Sequence, residues 1–440
     1  MKEKFLRVHS GHVKTEIIAG ITTFLATMYI IVVNPAILSD TGMSFDGVLT
    51  ATVLVSAFSS IAMGVYAKNP IVLAPGMGLN AFFTYTVVLG MGVSWQTALG
   101  AVFWSGIIFL LLSVLNVRTA IANAIPRQLR YAIASGIGLF IATIGFMNAK
   151  FIVAKSSTII GLGQLNWTTM TFVIGLAITA ILVARHVRGA LILGIVITTL
   201  LAIPIGRLWG DASEINFGVP TLVTWKGLVA RPDFSLFFKL DLLGALRLAM
   251  WPVIFALLFT DMFDSLATFI GVAEAGDLLD ADGEPRNIKQ SLIVDGLSTT
   301  LSGLFGTSSG TSYIESAAGI EEGGRTGLTA VVAGLLFLPF MFFSPLLSVV
   351  PSIATAPALV LVGVFMMKPV QKINWDQLDD AIPATLALIL IPLTYSITQG
   401  IVWGFLSWTV IKLMIGKKKE ISPVLMIIDL VAIMALVLQG

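Results

Sequence analysis

NPIVLAPGMGLN, residues 69–80, breaks the helical pattern of an otherwise apolar stretch. Pro70, Pro75, Gly76 and Gly78 fall close together, a density that disfavours continuous helix. A second such stretch, GLFGTSSGTS at residues 303–312, sets Gly303, Gly306 and Gly310 among small hydroxyl residues. Each runs into a helix-compatible sequence, from Leu79 and from about Tyr313. Each therefore reads as a short extended piece feeding the N-terminus of a half-helix. Backbone of this kind is tolerated at membrane depth only where it is buried in protein or lines a cavity.

Composition places both stretches in a membrane. The chain has 440 residues, 57% of them hydrophobic and 11% charged, with mean hydropathy +0.95. A soluble domain carries roughly 25% charged residues. Nothing is charged between Lys68 and Arg118, or between Arg325 and Lys368, and each run is long enough for two crossings. Apolar segments recur from 17–38 to 399–416, giving fourteen candidates, and 421–438 is a fifteenth. The broken stretches are the third and tenth, seven apart. That spacing predicts two seven-span halves, and an odd number of spans inverts one half relative to the other. Interrupted segments at matching places in two halves point to a transporter's binding site.

Basic residues predict the orientation. Lys2, Lys4, Arg7 and Lys14 precede the first span. Arg118, Arg127 and Arg130 follow the fourth, Arg185 and Arg188 the sixth, and Arg286 and Lys289 the eighth. Arg325 follows the tenth, Lys368 and Lys372 the twelfth, and Lys417, Lys418 and Lys419 the fourteenth. Simple alternation puts all of these on one side, which is then the cytoplasmic side together with the N-terminus. The opposite loops 91–95, 347–352 and 398–399 carry no basic residue. The start of the chain lacks the layout of a cleaved signal peptide. Thr398-Gln399-Gly400 admits a second reading, a break within one span, with 421–438 then the fourteenth; the tail otherwise crosses once more or lies on the membrane surface. A net charge of +2 gives no reason to expect a nucleic-acid partner, and without Cys there is neither disulfide nor thiolate chemistry.

Acids stand out against this background. Asp261 and Asp264 lie in LAMWPVIFALLFTDMFDSLATFIGVA (248–273), and Glu315 lies in LSGLFGTSSGTSYIESAAGI (301–320), with no Lys, Arg or His in either. Acids at membrane depth are expensive and functional by default, so they read as a polar binding site that also handles a proton.

Several stretches resemble the AzgA-like purine permeases of the nucleobase–cation symporter and nucleobase–ascorbate transporter group. They are TEIIAGITTFLATMYIIVVNPAIL (15–38), APGMGLNAFF (74–83), SGIGLFIATIGFMNA (135–149), FDSLATFIGVA (263–273), GTSSGTSYIESAAGI (306–320) and GGRTGLTAVVAGLLF (323–337). The resemblance runs from about residue 15 to 416. It implies an all-α polytopic membrane protein with the uracil-permease fold: fourteen spans as two inverted seven-span repeats, with short strands in spans 3 and 10. Residues 1–16 would be a cytoplasmic N-terminus. Residues 17–116 (spans 1–4) and 241–350 (spans 8–11) would form a core domain. Residues 117–240 (spans 5–7) and 351–440 (spans 12–14 and the C-terminal segment) would form a gate domain. The implied activity is proton-coupled import of adenine, guanine or hypoxanthine by an elevator-like motion, often as a homodimer. Substrate would bind at Gly78, Asn80, Asp264 and Glu315, and Asp264, Glu315 and Asp261 would couple the proton. Beyond substrate, proton and membrane lipid, no cofactor or metal is implied. One departure stands out: Ala267 occupies a place where the family usually has Gly, which narrows the pocket or alters span packing. The uracil-permease branch has a His near this position, whereas His9, His12 and His186 of this chain fall in predicted loops.

The chemistry fits a purine. Its ring N–H groups and exocyclic amine are donors, and a carboxylate can accept two at once. Glu315 is the preferred anchor, and Asp264 serves binding or coupling. Structural readings stand beside these. Ser312-x-x-Glu315 fits a capping box. Asp264 could make an inter-helix contact through Ser265 or Thr268. Asp261 lies three residues before Asp264, on a similar face, and reads as support. Asp295 reads as structural, bonded to Ser298, Thr299 or a neighbouring span. Asn80 could cap the half-helix and Gly78 simply break one. Phe82, Phe83 and Tyr85 are better explained by packing than by stacking on a base, and Asn34-Pro35 marks a bend or end of span 1. The acidic loop 274–290 lacks the Glu that a calcium loop needs at its twelfth position, which is Ile288 counting from Asp277.

Four other functions fit the residues less well. An anion exchanger of the same fold would favour positive charge in the site, and another nucleobase, uracil or xanthine, is the nearer alternative. An intramembrane aspartyl protease needs one Asp on each of two facing helices, whereas Asp261 and Asp264 share one. A channel suits broken half-helices less well than alternating access does. The chain thus reads as a transporter and not an enzyme.

Overall fold

The computed structural model describes residues 10–115, 126–155, 159–213, 219–279, 284–423 and positions 425, 426, 429, 430 and 433. Among these residues, eight helices are long and apolar enough to cross a membrane: Val13–Ser39, Phe45–Ala67, Trp95–Val114, Arg127–Asn148, Trp167–Ala184, Leu248–Gly276, Ser352–Lys372 and Ile397–Met414. Shorter apolar helices occupy Met77–Gly90, Ala190–Ala202 and Gly327–Phe342. Ile288–Phe305 and Leu378–Thr394 are also helical; the first contains Lys289 and Asp295, the second Asp379 and Asp380. With the interrupted stretch at 310–321 these make fourteen segments, numbered spans 1–14 in chain order.

Four short strands occur among the described residues: β1 (Leu73–Pro75), β2 (Ile152–Lys155), β3 (Ile159–Leu162) and β4 (Gly310–Ser312). β2 and β3 form a hairpin after span 5 that the sequence pattern does not announce. β1 and β4 pair antiparallel, with Leu73 opposite Ser312, Ala74 opposite Thr311 and Pro75 opposite Gly310. Their origin is local: Pro75 drives Ala74 towards extended backbone, while Gly306, at φ +94°, ends span 9 in the left-handed region that glycine adopts freely. The two breaks expected from sequence are thus one ribbon, joining span 3 to span 10.

A two-stranded ribbon leaves backbone groups unpaired, and at this depth no water is available to satisfy them. Neighbouring side chains do so instead. The Ser60 hydroxyl accepts from Leu73 N at 3.0 Å and lies 3.2 Å from Leu73 O. Ser265 accepts from Ser312 N at 3.3 Å, and Ser316 from Val72 N at 3.0 Å. Tyr313 donates to Pro75 O at 2.5 Å and Thr299 to Gly310 O at 2.9 Å.

Helix pairing repeats between the halves. Span 1 packs on span 11, and its counterpart span 8 on span 4; span 2 packs on span 11, and span 9 on span 4. Span 5 packs on span 12 across the middle, span 5 on 13 as 12 on 6, and span 6 on 7 as 13 on 14. Spans 2 and 11 touch backbone to backbone: a Cβ at Gly64 or Gly327 would collide with the carbonyl of the other.

Loops gather at two ends. At one, Arg286 donates to the carbonyls of Lys68 and Arg325, and Arg188 pairs with Glu322, so loops rich in basic residues meet there. At the other, the long connection from span 7 to span 8 straps the helix ends: Asp233 accepts from Ser44 at 2.8 Å, Asp241 from Thr97 at 3.1 Å, and Ala230 N donates to Phe342 O at 2.9 Å. Asp241 is held below the usual carboxylate range, chiefly by the Gly244 N–H. This strap carries Arg207, Lys226, Arg231, Lys239 and Arg247, so the charge asymmetry of the short loops does not extend to it.

Three expectations change. Ser396 caps a continuous helix from Ile397, so residues 398–400 open span 14 and do not break a span. Span 1 is irregular at Met28–Tyr29, and Pro35 sits inside the following helix Ile30–Ser39. The first helix begins at Ser10 and takes in His12. Most of the 421–438 tail, and residues 280–283 of the acidic loop, lie outside the described residues.

Candidate substrate site

Glu315 sits in the turn Ile314–Ser316 just past β4, half-exposed. The Tyr29 hydroxyl, from the irregularity in span 1, donates to its Oε1 at 2.8 Å. The capping box does not form: Ser312 lies in β4, one residue before the turn's N-cap Tyr313, and its hydroxyl has no partner.

Asp264 is half-exposed at mid-helix in span 8 and, among the described residues, takes no hydrogen bond from the protein. The inter-helix contact belongs to its neighbour Ser265, whose hydroxyl lies 2.8 Å from that of Thr311. Asp264 and Glu315 are near enough for their charges to interact. Accessible positions continue from Asp264 through Ala267 and Gly271 to Glu274 along one helix face. Ala267 is exposed on that strip, so its methyl lies outside any helix–helix contact. Arg130 of span 5 stands 5.6 Å from the Phe263 ring, a nearby cation at a position that the sequence pattern assigns to a loop.

The other acids are enclosed. Asp261 is fully buried and lies 2.5 Å from the Thr299 hydroxyl, three positions before the partly exposed Asp264. Asp295 is fully buried; among the described residues the bonds expected to Ser298 or Thr299 are absent, and the hydroxyl that approaches it is that of Ser265 on the neighbouring span 8, without good hydrogen-bond geometry. Thr299 turns elsewhere, to Asp261 and to Gly310.

Asn80 lies inside the helix that follows β1, whose N-cap is Gly76. It is fully buried and accepts from Ser308 in the loop before β4, tying the two half-spans together. A Cβ at Gly78 would come 2.5 Å from Ile137 Cγ2, so Gly78 is a close approach to span 5. Phe82 and Phe83 are buried in packing, and Tyr85 donates to Asp40 at 2.9 Å. Asn34 of span 1 donates to Thr52 at 2.7 Å and Thr307 at 2.8 Å.

Sequence reasoning missed Tyr29. Its only local signal is a hydroxyl near the centre of the apolar run 17–38. A hydrogen bond to a charged group is worth about 1.5–3 kcal/mol, so Tyr29→Phe is expected to weaken substrate binding by about tenfold or more while leaving the folded yield intact. Transport KM across the two proteins checks this.

Half-spans whose strands meet in one ribbon, inside helices paired twice over in inverted order, with carboxylates opening beside them, define a membrane transporter of the inverted-repeat class. The chain belongs to the Permease family (Xan_ur_permease), whose profile matches residues 14–403. It is 42% identical to the adenine permease AdeP of Escherichia coli (strain K12), over 98% of this chain and 94% of that one. It is 40% identical to the guanine/hypoxanthine permease PbuO of Bacillus subtilis (strain 168), over 96% of each. Among solved structures, the transmembrane domain of the cyanobacterial bicarbonate transporter BicA aligns at TM-score 0.63 and 15% identity, over 89% of this chain and 98% of that one. At that identity the likeness is one of fold.

Proposed function

We propose that this permease imports purine nucleobases (hypoxanthine, guanine or adenine) with protons across the cytoplasmic membrane, N-terminus inside. The carrying observation is the pair of partly buried carboxylates, Glu315 and Asp264, beside the β1–β4 ribbon. They offer acceptors to the ring N–H and amine donors of a purine edge. The relatives that are adenine and guanine/hypoxanthine permeases support the substrate class. Asn80 and Gly78 set the facing half-span at the site. Spans 1–4 with 8–11 act as a core that moves, elevator-like, against a gate of spans 5–7 with 12–14. An anion substrate would meet these carboxylates unfavourably.

Cells expressing the protein are expected to show saturable uptake of labelled adenine, guanine or hypoxanthine that collapses with a protonophore. Competition among these three, uracil and xanthine ranks the substrates. Uptake that survives the protonophore would refute the coupling, and uptake competed only by uracil or by anions would refute the purine assignment.

A further inference from the structure

Thr299 of span 9 is placed where the substrate site makes no use of it. Its Oγ1 lies 2.5 Å from Oδ2 of Asp261 and 2.9 Å from the carbonyl oxygen of Gly310 in β4. A threonine hydroxyl has one hydrogen and cannot donate to both. Gly310 stands opposite Pro75, which has no N–H to offer, so Thr299 is the donor that satisfies this buried carbonyl. The shorter contact then needs a hydrogen from Asp261 itself. The neutral carboxyl donates to Thr299, and Thr299 donates on to Gly310. When Asp261 gives up that proton, the Thr299 hydrogen turns to the carboxylate and the Gly310 carbonyl loses its donor.

The surroundings fit a group that exchanges a proton. Among the described residues Asp261 Oδ1 and both oxygens of Asp295 are buried without a well-aligned hydrogen bond, and only the neutral hydroxyls of Thr311 and Ser265 approach them. Asp295 faces Asp261 from span 9, Asp264 lies one turn along the same helix, and Glu315 faces Asp264 from span 10. Arg130 stands over Phe263 from span 5. Among the described residues no basic side chain is within ion-pair distance of Asp261 or Asp295.

We propose that Thr299 is a positioning residue that transmits the protonation state of Asp261 to strand β4, and through β4 to the turn carrying Glu315. Loading adds one proton to Asp261 Oδ2 and release removes it; no other bond is made or broken. The inference rests on the proton-coupled reading above.

The test uses the full-length protein in proteoliposomes with labelled adenine and hypoxanthine. It measures pH-gradient-driven uptake across external pH, exchange at equal pH on both sides, and proton entry with an internal pH dye. Thr299→Val is expected to lower gradient-driven uptake about tenfold and flatten its pH profile, with exchange close to wild type. Thr299→Ser, which keeps the hydroxyl, is expected to restore both. If the Val variant does not fold, Asp261→Asn carries the test: its amide donates to Thr299 at every pH, so uptake should lose its pH dependence. A wild-type pH profile in Thr299→Val or in Asp261→Asn overturns the inference, as does a Ser variant as impaired as the Val one. Wild-type uptake without proton entry overturns the coupling reading and this inference with it. Proton entry in the wild type beside an unaffected Val variant overturns this inference alone.

Discussion

Replacing Glu315 by alanine is expected to abolish purine uptake. The carboxylate can accept two substrate donors, each charge-assisted bond being worth about 1.5–3 kcal/mol. Losing both removes about 3–6 kcal/mol, or more than a hundredfold in affinity. Glu315→Gln keeps one carbonyl acceptor and should fall between alanine and wild type. Asp264→Ala should also lose uptake, because among the described residues no protein donor competes for its carboxylate and its acceptor capacity is free for substrate or proton. Radiolabelled uptake, normalised to protein in the membrane, is the measurement. Intact uptake in both alanine variants would sink the site.

Lys412→Met should destabilise the fold more than Tyr29→Phe, Thr299→Val or the Glu315 and Asp264 variants do. Lys412 lies in the last turn of span 14 and is 1% exposed. Its ammonium stands 2.7 Å from Asp379, 2.9 Å from Asp380 and 2.8 Å from Glu420. The Trp408 indole also donates to Asp380, at 3.2 Å. Removing the cation leaves Asp379 with Lys417 alone, at 2.6 Å, and Asp380 with the Trp408 indole alone. Breaking a fully buried pair from one side costs about 3–5 kcal/mol; with Lys417 still at Asp379 the loss is nearer the roughly 1.5–3 kcal/mol of a charged hydrogen bond, and the half-exposed Glu420 adds little. Thermal unfolding in detergent should show a clear drop for Lys412→Met and a smaller one for Lys412→Arg. Unchanged stability would mean that the cluster is incidental.

The candidate site's acids and the ribbon were legible in the chain. Glu315 and Asp264 announced themselves because an acid in an apolar run has few excuses, and the ribbon did so because Pro and Gly cannot continue a helix. The capping box at Ser312 failed for a local reason, since strand β4 runs one residue further than a helix start would allow. Asp261 and Asp264 looked equivalent because three residues of helix bring side chains towards one face. Packing against Thr299 then buried one and left the other open. Of the partners that the sequence offers Asp295, Thr299 turns elsewhere and Ser265 of the neighbouring span comes near.

The sequence by itself determined the membrane class, the apolar segments through residue 416, the inverted halves and the places where two spans break. These follow from composition and periodicity, which are local properties of the chain. Only the tertiary structure decided that the two breaks pair as one ribbon, that Tyr29 holds Glu315 across 286 residues, and that Lys412 meets Asp379 across 33. Hydrogen-bond partners far apart in the chain are chosen by how helices dock. An apolar pattern says which face is buried, not which face it meets.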